Sequence, residues 1–397
     1  MRTTTRSTTT MRTTTRSTTT MRTTTRSTTP STTVATPRSG IMFCVVGATF
    51  RDTNLFTKNF CDYAVFPDLI ARNGTFKPIY GLTNWNTFKE STSLAKNVEV
   101  GLGFTPSGMG KPGSTIDLIP SMGSELSRLV RALNASALGV FNFEYRFNVP
   151  LRTLQAAFQA FATAVSVART ARNKEPMTFL GVWMASSDDR TKFVAEVLNM
   201  RNVTTLILQT HIARAVTRHQ DCLSVPVSLM TSRGEYPTYE IAVAAASNLR
   251  AKGDRFRIMF SSTLGVMVFV GLKSSGSPKG PNQACEQAFM MGIDLTCNMA
   301  HPAVSMQGYD QRQQYSYLSY ESGNNIHYAS YESEKSLAEK MNMFVVNMSD
   351  GWALFEVDRD TWRPCGRPFM YDYPRLTRAQ QQARHREVVD TRFLPTI

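Results

Sequence analysis

The stretch ALGVFNFEY, residues 137–145, ends an apolar run with a carboxylate, Glu144, and sets an amide, Asn142, two residues before it. An acid at the end of a buried strand can give a proton to a leaving group or take one up. At a strand end such a group is tolerable, whereas deeper in a core it needs a partner or becomes protonated. Strict alternation with Glu144 inward also turns Leu138, Val140 and Asn142 inward, and sets Gly139, Phe141 and Phe143 against the outer layer. On the pattern alone, a polar residue that merely ends a strand is the simpler reading. Other chemistry-bearing groups are sparse. Five histidines and six cysteines, none in a C-x-x-C pair, offer no zinc-type ligand set, so no metal or cofactor is expected.

Elements that could hold Glu144 recur along the chain. IMFCVVGATF, DYAVF, VEVGLGF, ALGVFNFEY, MTFLGVWMA, TTLILQTHI and RFRIMFSSTL are strand-like runs, and GWALFEV supplies an eighth, with MFVVNM as its rival. Helical stripes lie between them: Leu126, Leu129, Val130 and Leu133 on one face, then Leu151, Leu154, Phe158, Phe161 and Val165 on another. Strands alternating with helices predict a parallel sheet covered by helices. Eight such units predict an α/β (β/α)8 TIM barrel, with active residues at the C-terminal strand ends. A Gly-, Ser- and Tyr-rich stretch from about 265 to 330 is expected to form a small α+β insertion between strand 7 and the last helix.

Before the barrel, MRTTTRSTTT occurs twice and MRTTTRSTTP once. Such a tract has little to bury, so residues 1–40 are expected to be a disordered Thr/Ser/Arg stalk, O-glycosylated or bare, and 41–397 the barrel domain. Of the net charge of +14, seven units come from arginines within the first 40 residues, leaving +7 spread over the rest. That is a solvating surface, and nucleic acid is not an expected partner. No run is apolar enough to span a bilayer. Six cysteines at wide spacing suit disulfides, and sequons stand at Asn73, Asn134, Asn202 and Asn347. Together they predict a secreted glycoprotein. Met1 opens directly on the polar repeat, so a leader is expected upstream.

The order of these motifs resembles family-18 glycoside hydrolases, the chitinases and chitinase-like lectins. Their fourth strand typically reads D-G-x-D-x-D-W-E-Y, and ALGVFNFEY is similar position for position. Ala137 and Val140 stand where that pattern has its first two aspartates, Asn142 replaces the third and Phe143 the tryptophan, while Glu144 and Tyr145 match. FCVVGATF and FCDYAVFPDLIARNGTFKP resemble the first two strands, VEVGLGF the third, and HYASYESEKSLAEKM with GWALFEVDRDTWRPC the last helix and strand. TTLILQTHI lies where the family has M-x-Y-D, so Gln209, Thr210, His211 and Ile212 replace that motif. The resemblance spans about residues 42–385.

In such enzymes the substrate's own acetamido oxygen attacks the anomeric carbon, outside the usual two-carboxylate scheme. The resemblance implies that Glu144 is the candidate acid and that Asn142 replaces the carboxylate stabilising the cation. It also implies that Tyr145, Gln209 and His211 face substrate, and that Trp352 floors the sugar site, with an ordinary strand-end histidine and a core tryptophan as the plainer readings of the last two. Loss of one electrostatic stabiliser costs about 2.7–4 kcal/mol of barrier. The expected function is therefore binding of N-acetylglucosamine-containing glycans or chitin with weak or no hydrolysis. An active chitinase or N-acetylhexosaminidase using Glu144, a non-carbohydrate interaction scaffold, and an unrelated barrel enzyme are the alternatives. The resemblance further implies the disulfides Cys44–Cys61 and Cys285–Cys365, which leaves Cys222 for Cys297.

Overall fold

A computed structural model describes residues 40–384 apart from 52, 80–81, 107–113, 145–150, 168–175, 213–221, 232–235, 277, 298–303, 345–347 and 361–372. The stalk, Tyr145, Asn347 and Cys365 fall outside the described residues, as does the side chain of Cys297. Eight parallel strands form the central sheet: β1 (Ile41–Val45), β2 (Tyr63–Arg72), β3 (Glu99–Phe104), β4 (Ala135–Glu144), β5 (Met177–Trp183), β6 (Thr205–Leu208), β7 (Arg257–Thr263) and β8 (Gly351–Phe355). Each pairs with the next, β8 lies between β7 and β1, and Phe43 on β1 registers with Tyr63 on β2, so the ring closes. GWALFEV is thus the eighth strand, and the barrel expected from the alternating pattern is present.

A helix follows each strand: α1 (Asn54–Thr57), α2 (Leu82–Thr92), α3 (Gly123–Leu133), α4 (Gln155–Val165), α5 (Ser187–Val197), α6 (Tyr239–Arg250), α7 (Glu334–Phe344) and α8 (Pro374–Arg384). Their starts and stops follow local chemistry. Ser186 and Asp189 form a reciprocal capping box at α5, and Asn134 ends α3 in the left-handed conformation at φ 49°. The α3 stripe Leu126, Leu129, Val130 and Leu133 is buried, as its spacing requires.

Both faces of the sheet are buried, which explains why the strands read as continuous apolar runs. Phe43, Val45, Val65, Ala137, Phe141, Phe179, Ile207, Met259 and Phe355 fill the ring, while Leu102, Leu138, Val140, Phe143, Leu180, Leu354 and Trp352 join the layer beneath the helices. Phe141 corrects the alternation expected for β4. Between Val140 and Phe143 the chain advances three residues while β5 advances two, from Leu180 to Val182. The extra residue is a β-bulge, and Asn142 within it adopts φ 55°. Phe141 therefore lies inside the barrel, and Leu138 and Val140 outside. Its ring occupies space that side chains on Gly103 and Gly181 would fill, since a Cβ on either would meet it at 2.3 and 3.0 Å.

The insertion is a five-stranded antiparallel sheet, ordered Gln287–Met291, Val266–Leu272, Asn325–Tyr331, Tyr315–Ser322, Val304–Asp310. Met267, Phe269, Tyr315 and Tyr328 on one face cluster with Ile212, Val225 and Val227 from the segment after β6. Two buried ion pairs tie it down. Arg375 on α8 holds Asp360 at 3.0 Å and donates to the carbonyls of Leu264 at 2.6 Å and Glu332 at 3.2 Å, the residues flanking the insertion. Lys340 on α7 pairs with Glu332 at 2.6 Å, with neither side chain exposed, and Ser228 and Ser336 donate to the same carboxylate. Burial lowers the Lys340 pKa, with Glu332 opposing the shift. Removing one member of such a pair costs about 3–5 kcal/mol.

Cys44 pairs with Cys61 as expected, but Cys222 pairs with Cys285, not with Cys297, and Cys285 not with Cys365. The cause is local: Cys222 and Cys285 sit opposite each other in a short antiparallel ladder.

Candidate functional site

The mouth of the barrel, at the C-terminal strand ends, collects the polar side chains. Glu144, the last residue of β4, is half-buried and registers with Trp183 of β5. With Phe143 turned outward, alternation beyond the bulge sets Glu144 toward the barrel axis.

Asn142 is engaged rather than open. Its backbone N–H donates to Gln209 Oε1 at 3.0 Å, and Gln209 Nε2 donates to Asn142 Oδ1 at 2.9 Å. Gln209, 3 % exposed, is itself anchored through its N–H to the Val182 carbonyl. This amide pair spans β5 and locks the bulge. An asparagine suits it because the left-handed conformation is least costly for short polar side chains.

His211 is 1 % exposed, with its ring 4.3 Å from that of Phe355. Its Nδ1 lies 2.7 Å from Ser261 Oγ, which already accepts the Thr210 N–H. The Ser261 hydroxyl has a lone pair to accept from Nδ1–H and a proton to donate to a bare Nδ1, so this contact suits either tautomer. Among the described residues Nε2 has no hydrogen-bond partner. Burial pushes the imidazole pKa from 6.5 down to about 3, so the ring is neutral. Backbone pairing of His211 with Ser228 draws it under the insertion.

Trp352 does not line the mouth, contrary to the role implied by the motif match. It is fully buried in the outer layer, stacked near Tyr239 at 6.1 Å and edge-on to Phe260, and its Nε1 donates to Ser262 Oγ at 3.2 Å. The inward aromatic at the end of β8 is Phe355, packed edge-on against Phe141 at 5.2 Å. The motif match took a position three residues from the strand end, which alternation turns outward.

Sequence reasoning also passed over the acids after β8. A pocket of about 140 Å³ opens at the ends of β1, β2 and β8, where Gly47, Phe66, Asp68, Ile79, Asn84 and Glu356 line it. Burial raises the Glu356 pKa from 4.5 to about 7, with Asp358 and Asp68 adding repulsion against the opposing effect of Arg359, 3.3 Å away. Asp358 turns back to accept from Thr49 N at 3.1 Å and Thr49 Oγ1 at 2.6 Å. Asp68 and Glu356 have φ of 59° and 53°, a conformation non-glycine residues rarely adopt and one that clusters at functional sites. The signal was present in WALFEVD, two acids directly after the final strand. A carboxyl poised near neutrality can act as a general acid. Among the described residues no cluster of side chains suits a metal ion, and no helix is long and apolar enough to cross a membrane.

No protein-family model matches the sequence, and no curated protein does. Solved structures do. Human YKL-39, described as a pseudo-chitinase with retained chitooligosaccharide binding, is 12% identical with a TM-score of 0.61, over 86% of this chain and 99% of its own. The Group IV chitinase of Ostrinia furnacalis is 14% identical with a TM-score of 0.62, over 87% and 99%. A glycoside hydrolase family 18 N-acetylglucosaminidase from Paenibacillus barengoltzii is 12% identical with a TM-score of 0.58, over 86% and 99%. The chain thus has the closed barrel with inserted sheet of the family-18 chitinases and chitinase-like proteins, and the resemblance read from its motifs is borne out in the fold.

Proposed function

We propose that this protein binds N-acetylglucosamine-containing oligosaccharides at the barrel mouth and hydrolyses them weakly or not at all. One observation carries the reading: the ring beneath Glu144 is apolar. Ala137 and Phe141, packed on Phe43, Phe179 and Phe355, occupy the strand's inward positions, Val140 faces the helices, and Asn142 is a neutral amide held by Gln209. Nothing on this strand supplies an anion beside the candidate acid, and a charge introduced into that layer would be heavily penalised. Binding needs less. The half-buried Glu144 at the rim can still hydrogen-bond a sugar hydroxyl, whereas His211 and Phe355, 1 % and 7 % exposed, pack against each other beneath it. Retained chitooligosaccharide binding in a pseudo-chitinase of the same fold supports the pairing of binding with lost catalysis. The disulfides fit an oxidising, extracellular compartment.

The deciding experiment pairs a chitin pull-down with a fluorogenic chitobioside assay on the purified full chain. Retention on chitin with no turnover is expected; turnover that Glu144→Gln abolishes would defeat the reading. A second reading, a glycosidase with a relocated acid, is favoured by the pocket around Glu356 and its pKa of about 7. That reading predicts turnover lost in Glu356→Gln and kept in Glu144→Gln.

A further inference from the structure

Three sequon asparagines lie among the described residues, and the fold treats them differently. Asn73 and Gly74 form the two-residue turn between the outer end of β2 and the antiparallel strand Thr75–Pro78, with φ of 52° and 71°. Those values define the type I′ turn favoured in tight hairpins. Asn73 is exposed, and a Cβ built on Gly74 meets no atom within 4 Å, so the tip stands clear of the protein. Asn134, the left-handed cap of α3, is also exposed; its backbone N–H satisfies Val130 and Arg131, and no hydrogen bond among the described residues holds its side chain.

Asn202 is built in. It is half-buried, its Nδ2 donates to Gln159 Oε1 of α4 at 2.8 Å, and its carbonyl accepts from Thr178 at the start of β5. A sugar on that nitrogen would displace this surface hydrogen bond to the exposed Gln159 and crowd the half-buried Asn202 against α4.

We infer that Asn73 and Asn134 carry N-linked glycans in the secreted protein and that Asn202 stays bare. The inference depends on passage through a secretory pathway. In the transfer, Asn Nδ2 forms a bond to the anomeric carbon of a lipid-pyrophosphate-linked oligosaccharide. The carbon–oxygen bond to pyrophosphate breaks, the lipid pyrophosphate leaves, and the amide nitrogen loses one proton. Transfer acts on the emerging chain, and folding then selects. A sugar at a hairpin tip or an exposed helix cap disturbs no contact, whereas one at Asn202 displaces the Gln159 hydrogen bond and crowds a half-buried position beside α4, so chains bearing it are held back.

The test expresses the full chain behind a secretion leader in eukaryotic cells. Peptides from the medium and from the soluble cell fraction are treated with peptide-N-glycosidase F in ¹⁸O-water and read by mass spectrometry. An enzyme-free control corrects for spontaneous amide loss at Asn73-Gly74. The majority of secreted molecules should show label at Asn73 and at Asn134, with none at Asn202. Absence of label at Asn73 or Asn134, or label at Asn202 in secreted protein, overturns the inference. Should no chain reach the medium, the soluble cell fraction is scored at Asn73 and Asn134 alone, and absence of label at either overturns the inference. Asn73→Gln should remove one glycosidase-sensitive step in gel mobility, and Asn202→Gln should remove none; the reverse pattern is a second route to refutation.

Discussion

His211 sets a measurable limit on acid stability. Folded, its imidazole holds no proton down to about pH 3, because the ring is sealed between Ser261 and Phe355; unfolded, it titrates near 6.5. Between those values the unfolded chain binds the extra proton, so stability falls as pH falls. Each pH unit in that window costs about 1.36 kcal/mol. From about pH 7 to pH 4 the loss from this single group amounts to about 3 kcal/mol. Replacing His211 with Gln keeps a polar side chain facing Ser261 but removes the titration. Urea unfolding of both proteins at several values from pH 4 to 7 isolates the effect as a difference of differences, since every other titrating group is common to both. The wild-type protein should lose about 3 kcal/mol more than the variant over that range. Equal losses would mean that the imidazole takes up its proton in the folded state. The sealed, neutral ring beneath the mouth would then not exist.

Glu356 acts with the opposite sign. Its folded pKa of about 7 lies above the unfolded 4.5, so the folded chain holds the extra proton and stability declines as pH rises through that window. Glu356→Gln should leave stability near pH 4 unchanged and raise it by up to about 3 kcal/mol above pH 7, read from the urea midpoint; no gain at high pH would place the carboxyl in bulk solvent. Trp352→Phe should lower stability by about 1–3 kcal/mol and leave chitooligosaccharide affinity unchanged. Phe355→Leu, which loosens the buried ring packed on Phe141 and His211, should likewise lower stability by about 1–3 kcal/mol; an unchanged urea midpoint in either variant would contradict the burial found in β8.

Legibility in the sequence followed the physics of each feature. The barrel was readable because helix stripes such as Leu126, Leu129, Val130 and Leu133, and the eight apolar runs, reflect periodicities that burial alone enforces. Which face of β4 pointed inward was not readable. One bulge residue shifts the phase of a whole strand end, and nothing but the left-handed tolerance of Asn142 hints at it. Of the two readings of Trp352, core residue and sugar floor, the structure has the core one, because alternation puts Phe355 and not Trp352 on the inner face. The Cys222–Cys285 bridge follows from a ladder between segments some sixty residues apart, and sequence spacing carries no trace of that pairing. The strand-end positions of Glu144 and His211 were readable from the runs that they close, but not any role for them. The Asn142–Gln209 lock was not readable, since it arises from two strands with a third between them.

Arg375 grips the backbone at both roots of the inserted sheet from a helix near the end of the chain, and that same helix caps the first strand through the bond from Gly40 to Ala383. Synthesis therefore delivers the roof of the mouth long before one of its fasteners. A ribosome that has released residues 266–331 has made the sheet, yet the carbonyls of Leu264 and Glu332 wait more than forty further residues for their guanidinium. Closure of the ring depends equally late on β8 meeting β1. A nascent chain stopped short of α8 would carry every side chain proposed for the mouth, with the inserted sheet held through Lys340–Glu332 and Cys222–Cys285 but not yet through Arg375.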